Sequence, residues 1–227
     1  MDATEVQKAM AELAIGAFFF AMRSCEYLKV PEAEKKQTDI LRLRNIKFYD
    51  DEGALVPHSS PNLANNARNV SITFERQKKD ERMDNVTQME SGDALLCPKR
   101  GWAEIVKRIR KYPGATDDTP VSAVWRNGRI EHITSRAMTV ALEAAVEAVG
   151  YDRLGIKKGE IGTHSIRSGV AMAMYLGEVP VHTIMMLGRW SSDAFLRYIR
   201  KQVEQFSTNI SKRMIKHMYF RHVPERN

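Results

Sequence analysis

Cysteine is scarce in this chain: Cys25 and Cys97 are its only two thiols in 227 residues. That excludes a disulfide framework and a thiolate-rich zinc cluster, and it points to a reducing compartment. Histidine offers little more. Six are scattered, and His217 and His222 stand five apart with no thiol near them, so no metal site is expected. Long apolar runs are also missing. The nearest approach, Leu13 to Met22, is shorter than the roughly 18 residues that suggest a membrane span, and it leads straight into Arg23. The segment from Met1 to Glu5 has no basic residue, unlike the opening of a secretory signal. Neither a membrane partner nor a secreted location is expected, and no cofactor motif stands out.

Acidic charge is the sign in shorter supply. Lys and Arg total 35 and Asp and Glu total 28, for a formal charge of +7. The excess is concentrated near the end of the chain. Between Arg197 and His222 stand seven basic residues and a single acid, Glu204. Such a tail suits contact with a phosphate backbone, although charge alone favours a solvated helix face. The rest of the composition, 43% hydrophobic and 28% charged, fits a globular chain long enough for one substantial core.

Periodicity predicts the elements. A helix is expected over residues 4–28, capped by Thr4, with Val6, Met10, Leu13, Ala14, Ala17 and Phe18 on one face. Ile40 to Tyr49 reads as a strand with one irregularity, and 50–68, rich in Asp, Gly, Pro, Ser and Asn, as a loop. Val70 to Glu75 alternates as a strand, Lys78 to Glu81 is a turn, and Asn85 onward is its return partner. Pro98 opens a helix running to about Lys111. Val121–Trp125 and Arg129–Ile133 flank Asn127-Gly128, a strong hairpin signal. Thr134 caps a helix ended by Gly150, Thr163 opens another through Leu176, and Val181–Leu187 is short and apolar. Ser192 begins a helix carrying Tyr198, and Glu204 to Tyr219 forms a last one. The sum is an α+β domain, mainly helical, with a small antiparallel sheet.

The residues with the most chemistry are Thr163-His164-Ser165-Ile166-Arg167, then Leu187-Gly188-Arg189-Trp190, then Tyr198. His164 and Arg167, three apart at a helix start, are expected to face one way toward a site that favours anions. Arg167 offers a planar fork for two phosphate oxygens, and His164 offers a proton acceptor and donor. This order resembles the box-two pattern of tyrosine recombinases, which phage integrases share. Gly188 to Arg200 looks closest to eukaryotic transposon recombinases of the Crypton kind. The family pattern asks for an arginine followed closely by a glutamate at the end of the first helix, and Arg23 and Glu26 match. It also asks for a lysine in the turn between two strands, where Lys78 and Lys79 lie. The resemblance spans the chain from Arg23 to the tail.

The resemblance implies a tyrosine-recombinase catalytic domain over 1–203 and a basic, helical tail over 204–227. The amino-terminal DNA-clamping domain of many relatives is apparently absent. The implied reaction is cleavage and rejoining of double-stranded DNA. Arg23 and Arg167 would bracket the non-bridging phosphate oxygens, and Tyr198 would attack to form a 3′-phosphotyrosine. His164 would accept its proton, Lys78 would supply one to the leaving 5′-oxygen, Trp190 would donate through its indole N–H, and Glu26 would support Arg23. No metal or ATP is implied. The implied assembly is a tetramer on DNA using the tail from Glu204, in the nucleus of a eukaryote or the cytoplasm of a prokaryote.

Two choices stay open. Much of the family places a histidine or tryptophan nine residues before the tyrosine, where this chain has Arg189; Trp190 lies eight before it. Either the Ser191-Ser192 segment absorbs the difference, or Arg189 makes the phosphate contact. Lys79 likewise competes with Lys78. Taken singly, each residue has a plain reading: Tyr198 as packing, Arg23 and Glu26 as a helix-surface ion pair, Trp190 as a core anchor. Two rival functions also remain, a type IB topoisomerase-like nicking enzyme and an inactive, domesticated DNA-binding module.

Overall fold

The first helix, α1 (Glu5–Phe19), begins where the sequence predicts. Thr4 Oγ1 accepts from the Gln7 backbone N–H, and Gln7 Oε1 accepts in return from Thr4 N–H, a reciprocal capping box. Its end is a correction, since the expected helix to residue 28 breaks after Phe19. Ala21 turns into the left-handed region at φ +45°. Its N–H donates to Phe18 O and that of Met22 to Ala17 O, the paired bonds of a Schellman motif. A short helix, α2 (Ser24–Tyr27), follows. No glycine or proline marks the break, and the apolar pattern runs across it because Phe20, Met22, Tyr27 and Leu28 are all buried.

The computed structural model describes residues 4–32, 38–76 and 84–190, together with Leu196. The expected strand over 40–49 is shorter than its alternation suggests. A 3-10 turn at Leu43–Asn45 precedes β1 (Ile46–Tyr49), because Asn45 Oδ1 accepts from the Arg42 backbone N–H and folds the chain back. The expected loop at 50–68 holds two small elements, β2 (Leu55–Val56) and α3 (Leu63–Asn66), whose Val56 and Leu63 are buried. Then come β3 (Asn69–Phe74) and β4 (Asp84–Met89). The four strands form one antiparallel sheet in the order β2-β1-β3-β4, with Ile46 opposite Ile72 and Ile72 opposite Val86.

Helix α4 (Pro98–Arg110) lies across α1. Gly16 allows that approach, since a Cβ there would sit 2.9 Å from the Trp102 ring. Trp102, Phe20, Leu13, Ile105 and Val106 are fully buried around the contact, each large apolar side chain contributing about 1.5–3 kcal/mol. The hairpin β5 (Ala123–Arg126) and β6 (Arg129–His132) turns through Asn127 and Gly128, both at positive φ as a tight type I′ turn requires. Thr134 Oγ1 caps α5 (Ser135–Val149) by accepting from Ala137 N–H. A single turn, α6 (Tyr151–Leu154), leads to α7 (Thr163–Leu176) and α8 (Val181–Gly188).

The core is divided unequally. One large cluster joins α1, the sheet, α4 and the hairpin. A small second cluster, centred on Ala171 and Ile184 and edged by Met172, Met174, Met185 and Trp190, belongs to α7 and α8. The α7–α8 pair docks on the main body chiefly through α1 and α5, with Ile166 and Leu187 packed against the large cluster. The expected turn at Lys78–Glu81, the helix beginning at Ser192 and the helix over Glu204–Tyr219 lie outside the described residues.

Candidate active site

Three chain segments meet beside the end of α1. The left-handed turn at Ala21 points the carbonyls of Phe20 and Ala21 out of the helix and places Arg23 just before α2. Glu26 Oε2 accepts from the Arg23 backbone N–H at 2.7 Å, so the same carboxylate caps α2 and grips the arginine. Glu26 Oε1 takes Arg23 Nη1 at 2.8 Å. Sequence reasoning puts Arg23 at the end of the first helix; the structure places it at the start of the second, where its side chain is about a third exposed.

The end of α8 supplies the second segment. It closes with its own Schellman motif: Trp190 N–H donates to Met185 O and Arg189 N–H to Met186 O, with Arg189 at φ +52°. That conformation costs a non-glycine residue roughly 1–2 kcal/mol. It turns the Arg189 side chain inward. Arg189 Nη2 reaches Glu26 Oε2 at 2.8 Å, and Nη1 donates to Phe20 O at 3.0 Å and Leu187 O at 3.2 Å. The guanidinium lies flat over the Phe74 ring, 3.7 Å from its centroid. The Arg189 carbonyl in turn accepts from Arg23 Nη2 at 3.3 Å.

Arg167, from the first turns of α7, is the third guanidinium, and it is buried. It donates to Ala21 O and Gly188 O, joining positions 146 residues apart in sequence. Its guanidinium carbon stands 4.5 Å from the Trp190 ring centroid, a stacked cation–π contact. Gly188 has to be glycine here, because a Cβ would fall inside the Trp190 ring. His164, second in α7, is exposed while Arg167 is not, so the two bound the same helix side from solvent and from interior.

Glu26 sits at the electrostatic centre. Burial alone would push its carboxyl up; Arg189, then Arg23 and Arg167, outweigh that and hold it below the ordinary carboxylate range. Three guanidiniums face Glu26, with Asp84 also acting on Arg189, so positive charge is in excess. The site can therefore hold an anion, and a dianionic transition state more strongly than its singly charged precursor. Burial draws the Arg189 pKa down, with Glu26 opposing the shift. Its Nε–H is buried with no acceptor among the described residues.

Of the residues singled out from sequence, the structure brings together Arg23, Glu26, Arg167, Arg189 and Trp190, with His164 at the rim. Lys78, Lys79 and Tyr198 lie outside the described residues. Sequence reasoning missed the second partner of Glu26. From sequence Arg189 stood only as the alternative to Trp190 for a phosphate contact, and the left-handed turn shows that it faces the interior. It also missed the carbonyls of Phe20, Ala21 and Gly188, which carry no residue-type signal. Among the described residues no His, Cys, Asp or Glu cluster could hold a metal ion, and no helix is long and apolar enough to cross a membrane.

No protein-family model matches this sequence, and no curated protein does. Solved structures do match. A post-cleavage complex of the XerH site-specific recombinase bound to a palindromic difH substrate aligns at a TM-score of 0.54 and 15% identity, covering 93% of this chain and 48% of the other. The pre-cleavage complex of XerH with difH aligns at 0.53 and 12%, covering 92% and 49%. The fold is that of a tyrosine recombinase catalytic domain. This chain spans about half the length of those chains.

Proposed function

We propose that this protein cleaves and rejoins DNA strands through a covalent 3′-phosphotyrosine at Tyr198. The observation that carries the reading is the convergence of Arg23 and Arg167 on Glu26, with Trp190 stacked on Arg167, from segments far apart in sequence. A phosphodiester already carries one negative charge, and more gathers on its non-bridging oxygens as a nucleophile adds. The excess positive charge at this site suits that build-up. Arg23, partly exposed, and Arg167 take the non-bridging oxygens, and Trp190 adds its donor-only indole N–H. A tyrosine hydroxyl is mostly protonated at neutral pH, so Tyr198 needs a proton acceptor, the role of exposed His164. Lys78, or its neighbour Lys79, protonates the leaving 5′-oxygen.

Bond energy kept in the phosphotyrosine permits rejoining without ATP. The XerH structures similar to this chain are complexes of a site-specific recombinase with its substrate before and after cleavage, which supports the same class of reaction here. Assembly of four copies on two DNA sites, using the basic tail from Glu204, and a transposon origin of the Crypton kind belong to the same proposal. The test uses a nicked suicide duplex that traps the covalent adduct. Wild type accumulates a protein–DNA species stable to denaturant and Tyr198→Phe does not; an adduct that persists in Tyr198→Phe overturns the assignment and turns attention to Tyr175 and Tyr219.

A further inference from the structure

We infer that Arg189 is a positioning residue for strand cleavage: rather than touching DNA, it locks α7–α8 onto the Arg23 segment by holding Glu26 from the far side. The inference rests on the function proposed above and assigns one residue within that site.

Arg189 is poorly explained by stability. It occupies a left-handed position where glycine is the relaxed choice, and its buried Nε–H lacks an acceptor among the described residues. A buried ion pair is also weak evidence for stability, since apolar replacements of both partners are often neutral or better. What Arg189 does achieve is geometric. Its Nη2 and Arg23 Nη1 grip opposite oxygens of the same carboxylate, so Glu26 cannot rotate without losing one of them. Its carbonyl adds a second contact to Arg23. Its planar face covers Phe74, the last residue of β3 and four before Lys78 in sequence. Its Nη atoms are engaged by the Glu26 carboxylate and by the Phe20 and Leu187 carbonyls.

The α7–α8 pair is what this lock positions. Its own core is small and methionine-edged, and such packing tolerates displacement. Arg167, His164 and Trp190 all ride on that pair, whereas Arg23 rides on the main body. A slip of about 1 Å between the two can cost on the order of 10²-fold in rate. Glu26 is faced by Arg23 from its own segment, Arg167 from α7 and Arg189 from the end of α8. Cys25 and Tyr27 flank it, and Asp84 of β4 acts on Arg189.

The test compares wild type, Arg189→Met, Arg189→Lys and the double variant Glu26→Met/Arg189→Met in single-turnover cleavage of the suicide duplex. Duplex affinity, thermal melting and a pH series from 6 to 9 are measured beside it. Arg189→Met is expected to lose on the order of 10²-fold in cleavage with duplex affinity changed far less. Its rate should gain an acid-side dependence on one further proton, because Glu26 has lost its strongest opposing charge. Arg189→Lys, which keeps the charge, should recover part of the rate and remove that dependence. The double variant, in which Arg23 and Arg167 also lose the carboxylate, should lack the extra proton and still cleave poorly. Cleavage by Arg189→Met within about threefold of wild type overturns the inference. So does a loss that is equal at every pH and tracks melting, or a double variant that cleaves normally. A wild type that forms no adduct overturns the proposed function instead, and this role with it.

Discussion

Substituting Gly188 by alanine reverses the usual sign of a helix mutation. Gly188 is the last residue of α8, and its φ is not positive, so backbone preference alone favours alanine by about 0.5–1 kcal/mol. The added methyl, however, would occupy space taken by the Trp190 ring. Overpacking of this kind costs about 1–3 kcal/mol. Moving the indole also loosens its stack on Arg167, worth roughly 0.5–2 kcal/mol when desolvated. The net expectation is destabilisation by about 1–4 kcal/mol. Urea unfolding followed by circular dichroism reads it as a lower midpoint at an unchanged slope. A background of Trp190→Ala removes the obstacle, and there Gly188→Ala should instead stabilise by about 0.5–1 kcal/mol. A Gly188→Ala protein more stable than wild type, or the same change in both backgrounds, would refute the placement of Trp190 against the end of α8.

Other perturbations separate the remaining contacts. Glu26→Gln strands three guanidiniums around a neutral group, so a loss of about 3–5 kcal/mol is expected; a melting temperature within 2 °C or so of wild type would contradict the buried interlock. Thr134→Ala removes the cap of α5 and should cost about 1 kcal/mol in urea unfolding, with no effect if the cap is idle. Acid sensitivity follows from His58. Arg110 Nη2 can only donate, so His58 Nδ1 accepts, and Nε2 donates to Ile46 O at 2.8 Å. Burial chiefly lowers the His58 pKa, and burial with Lys29 nearby lowers that of His132. The unfolded chain therefore binds protons first as pH falls, so stability is full above the ordinary histidine range and is lost as pH drops through the folded pKa. Melting temperature should fall between about pH 7 and 5, and a flat profile in wild type would contradict the burial of these rings.

Much of this arrangement was legible from residue patterns. The Thr4 and Thr134 caps, the Asn127-Gly128 turn, the β3–β4 pairing and the limits of α7 all follow from local chemistry that tertiary packing did not override. The break at Ala21 was not legible. Its left-handed residue is alanine, its hydrogen bonds are main-chain, and the apolar rhythm continues through it. Strand β1 lost its first half for a similar reason, since the Asn45 side chain bends the backbone without disturbing the alternation. For the site, the residue types and their order pointed to Arg23, Glu26, Arg167 and Trp190. Which way Arg189 faces depended on a φ angle that no residue-type rule supplies for arginine. The same two Schellman turns that hid from periodicity, at Ala21 and Arg189, are what bring the three guanidiniums to one carboxylate.

The central claim is that Tyr198 becomes covalently joined to a 3′-phosphate. Wild-type protein incubated with a suicide duplex, digested with nuclease and protease, and mapped by mass spectrometry locates the modified residue directly. Expected is a nucleotide adduct on Tyr198 alone, lost when Arg23 or Arg167 is replaced by alanine. An adduct on another residue, or none under conditions where the duplex is bound, would contradict it.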